Sequence, residues 1–244
     1  SIGGTVQVFT RNPGSSPKQR AYLRVSSAHR SFLGRLETTQ VISDQTSVLL
    51  GGGGKTYGDL EGGRDLGRQT ETGYEEQNFD IKIVHEFSED GQLTLFHQHL
   101  RQNNVPRTHK TIHAKSFAGT SLGKELRREL DQDRNLTYLQ YNRDLDAEFA
   151  DSLFLSVSWQ EQNEVRDRLK TSSAELQGLD VGTIGLIMQL DGTSTYGAWT
   201  AGMDYYGDDV DSFKTKNGIA EIQGPVGDDA TYDLFGAYAN IESE

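Results

Sequence analysis

The chain has no cysteine among its 244 residues, so disulfide bonds and thiolate zinc sites are excluded. Apolar residues are also scarce, at 34% of the chain, compared with the ~45–50% (glycine included) of soluble globular domains. No apolar run approaches the ~18 residues that a membrane-spanning helix needs. The sequence therefore argues against a helical membrane protein, but not against a β-barrel, whose strands show only alternation.

Basic residues are in deficit as well. The 24 Lys and Arg residues stand against 36 Asp and Glu residues, which gives a formal net charge of −12. A nucleic acid is therefore not expected as a partner, because phosphate binding needs a basic face. The low apolar share does not indicate disorder, since 10 Tyr, 10 Phe and 2 Trp residues are more than disordered segments usually carry.

Alternation of apolar and polar residues is the strongest pattern present. In the segment 152–161, for example, Leu155 and Val157 alternate with Ser156 and Ser158. Successive side chains of a strand point to opposite faces, so such a segment has one apolar and one polar face. The clearest segments are 20–28, 78–87, 152–161 and 196–206. Together with runs of blurred phase, they predict an all-β fold of about ten strands.

The connections predicted between these strands alternate between short and long. Short turns are predicted at 43–44, 89–91, 146–150 and 191–192. Long polar loops are predicted at 57–72, 103–132, 163–181 and 207–230. Outer-membrane barrels combine short periplasmic turns with longer extracellular loops, so this pattern favours an antiparallel transmembrane β-barrel.

Leucines recur at a four-residue spacing inside the predicted loop 103–132, at Leu122, Leu126 and Leu130. This spacing predicts a short helical turn over residues 122–131, packed within the loop. Binding of a partner by this helix is the alternative interpretation.

Two segments resemble TonB-dependent outer-membrane receptors. Residues 1–11 (Ser-Ile-Gly-Gly-Thr-Val-Gln-Val-Phe-Thr-Arg) are similar to the last plug strand of that family. There, a Gly-Gly segment with alternating apolar residues leads through a charged residue into the first barrel strand. Residues 74–141 are similar to the early barrel of some members, with Val-Pro-Arg-Thr at 105–108 and a returning Tyr-containing strand at 133–138.

The resemblance implies a barrel of roughly 22 strands with an N-terminal plug in its lumen. Residues 1–14 are then expected to be the C-terminal end of the plug domain, and residues 15–244 the N-terminal portion of the barrel. About ten strands cannot close so wide a barrel. Nearly all of the plug, with its TonB-contacting segment, would precede Ser1, so the chain is expected to be a fragment.

The resemblance also implies a function, namely TonB-dependent uptake across the outer membrane of a Gram-negative bacterium. The expected solute is a scarce one, such as an iron–siderophore, haem or cobalamin. The expected partners are this solute, the TonB complex and outer-membrane lipid. Alternatives are a porin or secretion channel, a soluble exported all-β binding or adhesion module, and a carbohydrate-active β-enzyme. A soluble module would pack its apolar faces together in a dry core, whereas a barrel exposes them to lipid.

Five residues are candidates for contact with the ligand. His97 and His99 lie two positions apart on a predicted strand and therefore face the same side. Arg107, His109 and His113 follow in the next loop. Imidazole binds transition metals and haem iron, so these residues would suit an iron chelate or haem at the mouth of a receptor. Simple polar lining is the alternative, and no resident metal or cofactor is predicted.

The glycine-rich stretch 51–56 (Gly-Gly-Gly-Gly-Lys-Thr) invites comparison with a phosphate-binding loop. Leu49 stands where that motif needs its first glycine, and residues 57–59 interrupt the helix that must follow. The stretch instead predicts small residues on a strand to which a plug or a neighbouring backbone comes close.

No combination of a nucleophile and a base stands out, because cysteine is absent and all six histidines lie in the first half of the chain. An enzyme is therefore not predicted. The acidic cluster of Asp208, Asp209 and Asp211 is predicted to be a solvated loop, with a calcium contact as the minor alternative.

Overall fold

The structure, a computed structural model, describes residues 10–63, 65–117, 119, 121–221 and 223–243. All regular structure in these residues is β-strand. The strands are β1 (Lys18–Ser26), β2 (Ser31–Ser43), β3 (Thr46–Tyr57), β4 (Leu60–Glu61), β5 (Arg68–Gln69), β6 (Tyr74–Ser88), β7 (Gly91–Pro106), β8 (Glu125–Ala147), β9 (Ala150–Lys170), β10 (Ser173–Ser194), β11 (Gly197–Lys216), β12 (Ile219–Ala220) and β13 (Ala230–Glu242).

Eleven of the strands form one antiparallel sheet in the order β1-β2-β3-β6-β7-β8-β9-β10-β11, with β12 and β13 both paired to β11. Each long strand pairs with the long strands that precede and follow it in sequence, so the sheet is a meander. Within the described residues, β1 and β13 do not pair and the sheet is not closed. The prediction of an all-β antiparallel fold with about ten strands, as a partial barrel, is confirmed. No helix in the described residues is long and apolar enough to span a membrane.

The connections at one end of the sheet are tight. Residues 44–45, 89–90, 148–149 and 195–196 separate consecutive strands there. Three of these turns lie where the sequence predicted them. The fourth prediction, at 191–192, was displaced, because pairing of β10 with β11 continues down to Ser194 and Gly197.

The connections at the other end are partly shorter than predicted. The loops 58–73 and 107–124 are long, but the predicted loop 163–181 does not exist, because β9 and β10 continue to a turn at residues 171–172. Likewise β11 continues to Lys216, so the predicted loop 207–230 shrinks to residues 217–229. These strand extensions carry mostly charged and polar residues on the inner face and a mixture of polar and apolar residues on the outer face, so their alternation is weak in the sequence.

The predicted helical turn over residues 122–131 is wrong, since residues from Glu125 onward form the start of β8 and pair with β9. Residues four positions apart also share a face in a strand, because four is an even number. The leucine spacing was therefore compatible with both structures. Pairing with β9 decided between them, as tertiary context commonly overrides local propensity.

The two faces of the sheet differ in polarity. One face, the outer face, includes a group of twelve large apolar side chains that are each more than a third exposed. They form the outer band: Leu36, Phe79, Leu95, Leu139, Leu155, Val157, Ile184, Leu186, Met188, Met203, Phe235 and Ile241. Only six apolar residues are buried among those described. Within this described part of the chain, the outer band does not pack against a second layer in a dry core, as a soluble sandwich would require.

Candidate functional site

The opposite face, the inner face, is rich in charged and amide side chains. Arg35 on β2 reaches across β3 to Asp80 on β6, with Nη1–Oδ1 and Nη2–Oδ2 distances of 2.8 and 3.0 Å. Arg35 Nη1 also donates to Asn78 Oδ1 at 3.3 Å. Such a two-point guanidinium–carboxylate contact fixes the angle between the groups as well as their distance.

The glycines of β3 make this crossing possible. A Cβ on Gly51 would collide with the guanidinium of Arg35, and one on Gly53 would lie 2.6 Å from the carbonyl oxygen of Gly34. The stretch 51–56 is a strand with no following helix, so it is not a phosphate-binding loop. The prediction of a close approach was right, and the approaching groups are the Arg35 side chain and the β2 backbone.

A short segment of chain rests on the inner face. Lys82 Nζ donates to Asn12 Oδ1 at 2.8 Å and to the carbonyl oxygen of Thr10 at 3.2 Å. The hydroxyls of Thr10 and Tyr138 are 3.2 Å apart, and Arg11 forms an ion pair with Glu37 on β2. The segment is thus held from three strands. Residues 1–9, which make up most of the segment that resembles a plug strand, lie outside the described residues.

An arginine cluster lies further along the inner face, towards the end with long loops. Arg128 on β8 is directly opposite Arg168 on β9, and Arg166 lies two positions from Arg168 on the same strand. Glu125 faces Arg128 and Arg168, with N–O distances of 3.4 and 3.7 Å, and Arg168 also pairs with Glu175 on β10. We call Arg128, Arg166 and Arg168 the arginine cluster.

The ionisation of this region follows its contacts. The hydrogen bond from Arg168 holds the pKa of Glu175 below its usual value. Burial lowers the pKa of Arg166, and the neighbouring charges of Arg128 and Arg168 lower it further. Three like charges therefore crowd together around two carboxylates.

The loop 107–124 packs beside the arginine cluster. The backbone N–H of Arg107 donates to the carbonyl oxygen of Arg128 at 2.8 Å, and that of Ile112 donates to Glu125 at 2.9 Å. Burial lowers the pKa of His109, and the charge of Arg128 acts in the same direction. His113 shares a small cleft with Arg107 and Arg128. The structure therefore brings Arg107, His109 and His113 together near the cluster.

The other two candidate residues lie elsewhere. His97 and His99 share a face, as predicted, but it is the outer one, on the opposite side of the sheet from the arginine cluster. His97 Nδ1 is 2.9 Å from Thr137 Oγ1, and His99 Nδ1 is 2.9 Å from Asn135 Oδ1. Each ring forms one cross-strand hydrogen bond through Nδ1. The two histidines are therefore not part of the group formed by Arg107, His109 and His113.

Sequence reasoning missed the arginine cluster. Arg166 and Arg168 have the two-residue spacing of neighbours on one face of a strand, so the signal was present. It was overlooked because residues 163–181 were interpreted as a loop. Only the pairing of β8 with β9 adds Arg128 to the group.

The acidic residues of β11 are not in a loop, contrary to prediction. Asp208 is on the inner face and accepts a hydrogen bond from Thr183 Oγ1 at 2.7 Å. Asp211 is on the outer face, where its carboxylate oxygens come within 4.8 Å of those of Asp228 and Asp229. All three are exposed, and exposed carboxylates gather in this way without holding a metal.

Comparison with known proteins finds similarity in fold. No family model matches the chain, and no curated protein matches it. Among solved structures, the ferric yersiniabactin uptake receptor FyuA from Yersinia pestis is similar in fold, with a TM-score of 0.55 and 11% sequence identity. The likeness covers 91% of this chain but 37% of that receptor. At this identity it supports the fold, a partial β-barrel like that of an uptake receptor.

Proposed function

We propose that this chain is part of an outer-membrane receptor that takes up a scarce solute with energy supplied through TonB. The observation that carries the proposal is the combination of two differently built faces. An exposed apolar outer band suits contact with lipid, and a charged inner face suits an enclosed, wet lumen.

The outer band weighs against a soluble binding or adhesion module. Leu155, Leu186 and Met203 lie on three neighbouring strands and stay exposed on the outer face. Contiguous exposed apolar surface of this extent is unfavourable in water and is favourable against hydrocarbon. Contact with lipid therefore accounts for the exposure of these apolar side chains.

The segment at residues 10–12 supports a plugged receptor over an open porin. Lys82 and Tyr138 contact this segment from two different strands of the inner face. We interpret residues 1–14 as the C-terminal end of a plug domain and residues 15–244 as the N-terminal portion of the barrel. The TonB complex would then act on a segment outside this sequence.

The proposed solute is an iron–siderophore, haem or cobalamin. The fold likeness to a ferric yersiniabactin uptake receptor and the resemblance of residues 1–11 to a plug strand support this class. We therefore propose transport and not catalysis.

Two measurements on the full-length gene product, expressed in a Gram-negative host, test the proposal. First, the membrane fraction is compared on SDS gels with and without boiling. We expect a mobility shift, because a folded barrel resists SDS until it is heated. A protein recovered entirely from the soluble periplasm would contradict the proposal.

Second, uptake of radiolabelled ferric siderophores, haem and cobalamin is measured in hosts with and without TonB. We expect at least one of these solutes to be taken up only when TonB is present. Uptake of small solutes that does not depend on TonB would instead indicate a porin.

A further inference from the structure

The arginine cluster contains an unusual defect in hydrogen bonding. Among the described residues, three buried side-chain nitrogen or oxygen atoms lack a partner, and they are the Nε atoms of Arg128, Arg166 and Arg168. Buried polar groups are almost always hydrogen-bonded, so each exception needs an explanation. Here all three exceptions fall on one small patch of the inner face.

The charges of this patch are also unbalanced. Glu125 and Glu175 supply two carboxylates, and the ion pairs they form involve Arg128 and Arg168. Arg166 takes part in no ion pair within the described part of the chain; its cross-strand neighbours are Leu130 and Gln177. The patch therefore has an excess of positive charge, whereas the whole chain has a formal net charge of −12.

A purely structural role does not explain this arrangement. An arginine that only stabilises a sheet is expected to face a carboxylate, as Arg35 faces Asp80. In the cluster, Arg128 lies directly opposite another arginine, and like charges directly opposite each other destabilise a strand pair. A bound anion that pairs with the terminal guanidinium nitrogens would offset this repulsion.

The cluster lies where a solute would arrive before it enters the lumen. On β9, Arg166 is nine residues beyond Val157 of the outer band, which is roughly 30 Å along an extended strand. It therefore lies beyond the outer band, near the end of the sheet with the long loops. Its side chain is on the inner face, which would line the lumen.

We propose that Arg128, Arg166 and Arg168 bind a solute that carries carboxylate or phosphate groups. Guanidinium groups present fixed forks of N–H donors that match the two oxygens of these anions. Glu125 and Glu175 hold two of the guanidiniums in place, and Arg166 supplies the uncompensated charge. This inference deepens the proposed function, because it gives the chemical class of solute that the receptor would capture.

The test uses the folded full-length protein in detergent and isothermal titration calorimetry, with citrate and inorganic phosphate as probes and choline as a cationic control. We expect citrate or phosphate to bind, choline not to bind, and binding to weaken as salt rises. The variant Arg166→Gln should lose roughly tenfold or more of the affinity, since hydrogen bonds to charged groups are among the strong ones.

Arg127→Gln is the matched control. Arg127 is next to Arg128 on β8 but on the outer face, where it pairs with Asp167. The Arg127→Gln variant loses the same formal charge as Arg166→Gln, so a general electrostatic effect would weaken binding in both variants. We expect Arg127→Gln to change the affinity by less than about twofold, because its exposed charge is on the opposite face of the sheet.

Some results would overturn the assignment. They are absence of citrate and phosphate binding to the wild-type protein, or equal affinities in the wild-type protein and Arg166→Gln. If Arg166→Gln does not fold, Arg166→Lys replaces it. This variant keeps the charge but loses the fork, so weaker binding is expected and unchanged binding would refute the site.

The outcome is separable from that of the proposed function. A heat-modifiable membrane barrel that binds neither anion would leave uptake standing and remove this site. A soluble protein that binds citrate through Arg166 would remove the uptake proposal and keep the site.

Discussion

The ion pair between Arg35 and Asp80 spans a whole strand, because β3 lies between the strands that carry the two residues. It can do so only where β3 has no side chain on the inner face. Gly51 provides that gap, while the next glycine, Gly52, is on the outer face and has no atom closer than 3.7 Å to the position of a Cβ. Two adjacent glycines thus have different roles.

Substitution of Gly51 by alanine should destabilise the protein by about 1–2 kcal/mol, since the new methyl group displaces Arg35 and breaks a charged hydrogen-bonded pair. Gly52→Ala should be neutral or slightly stabilising, because alanine loses less backbone entropy on folding than glycine. Urea unfolding in detergent, followed by tryptophan fluorescence, gives both free energies. In an Arg35→Gln background, the effect of Gly51→Ala should largely disappear; an undiminished effect would show that Arg35 is not the cause.

At the scale of elements, β8, β9 and β10 extend well beyond the outer band. Near the turn at residues 171–172 their inner faces carry charged side chains that form ion pairs with one another. The pair between Arg168 and Glu175 links β9 to β10 close to their turn at residues 171–172. This contact should therefore control how readily the tip of the hairpin opens.

The contribution of Glu175 should depend on pH in a definite direction. The pKa of Glu175 is lowered in the folded chain by its hydrogen bond with Arg168, so the folded state binds fewer protons than the unfolded state. Stability from this group is complete above the ordinary glutamate pKa and is lost as the pH falls towards the lowered folded value.

We expect Glu175→Gln to ease local opening of the hairpin by roughly 1 kcal/mol at neutral pH and to have little effect in acid, where the wild-type carboxyl is protonated. Hydrogen exchange of the amides of β9 and β10, measured against pH, tests this. Glu161→Gln, on the outer face of β9, serves as the control. A difference between Glu175→Gln and wild type that stayed constant with pH would contradict the assignment.

For the whole molecule, the decisive feature is that the two faces of one sheet suit different environments, one apolar and one polar. Under the proposed function, the outer band meets hydrocarbon and the inner face meets water or a polar plug. Neighbouring residues on one strand should therefore respond in opposite ways to the same substitution. Leu155 belongs to the outer band and Ser156, next to it on β9, is on the inner face.

Leu155→Arg should prevent assembly in the outer membrane or destabilise the barrel by roughly 2–4 kcal/mol, because it places a charge in the hydrocarbon layer. Ser156→Arg should be tolerated, since its side chain points to the polar interior. The amount of heat-modifiable protein and the free energy of unfolding in lipid vesicles measure both effects. If Leu155→Arg were harmless and made the protein more soluble, the outer band would be facing water.

The sequence by itself determined the class of fold, the approximate number of strands, the polarity of their faces and most of the tight turns. These properties follow from alternation and turn chemistry, which are local. The tertiary structure decided that residues 163–170 and 173–181 are paired strands, that residues 125–131 are not helical, and that Arg128 joins Arg166 and Arg168. It also decided that His97 and His99 lie on the opposite face from the arginine cluster. These outcomes depend on which strands pair and in what register, and that is set by contacts between residues far apart in the chain.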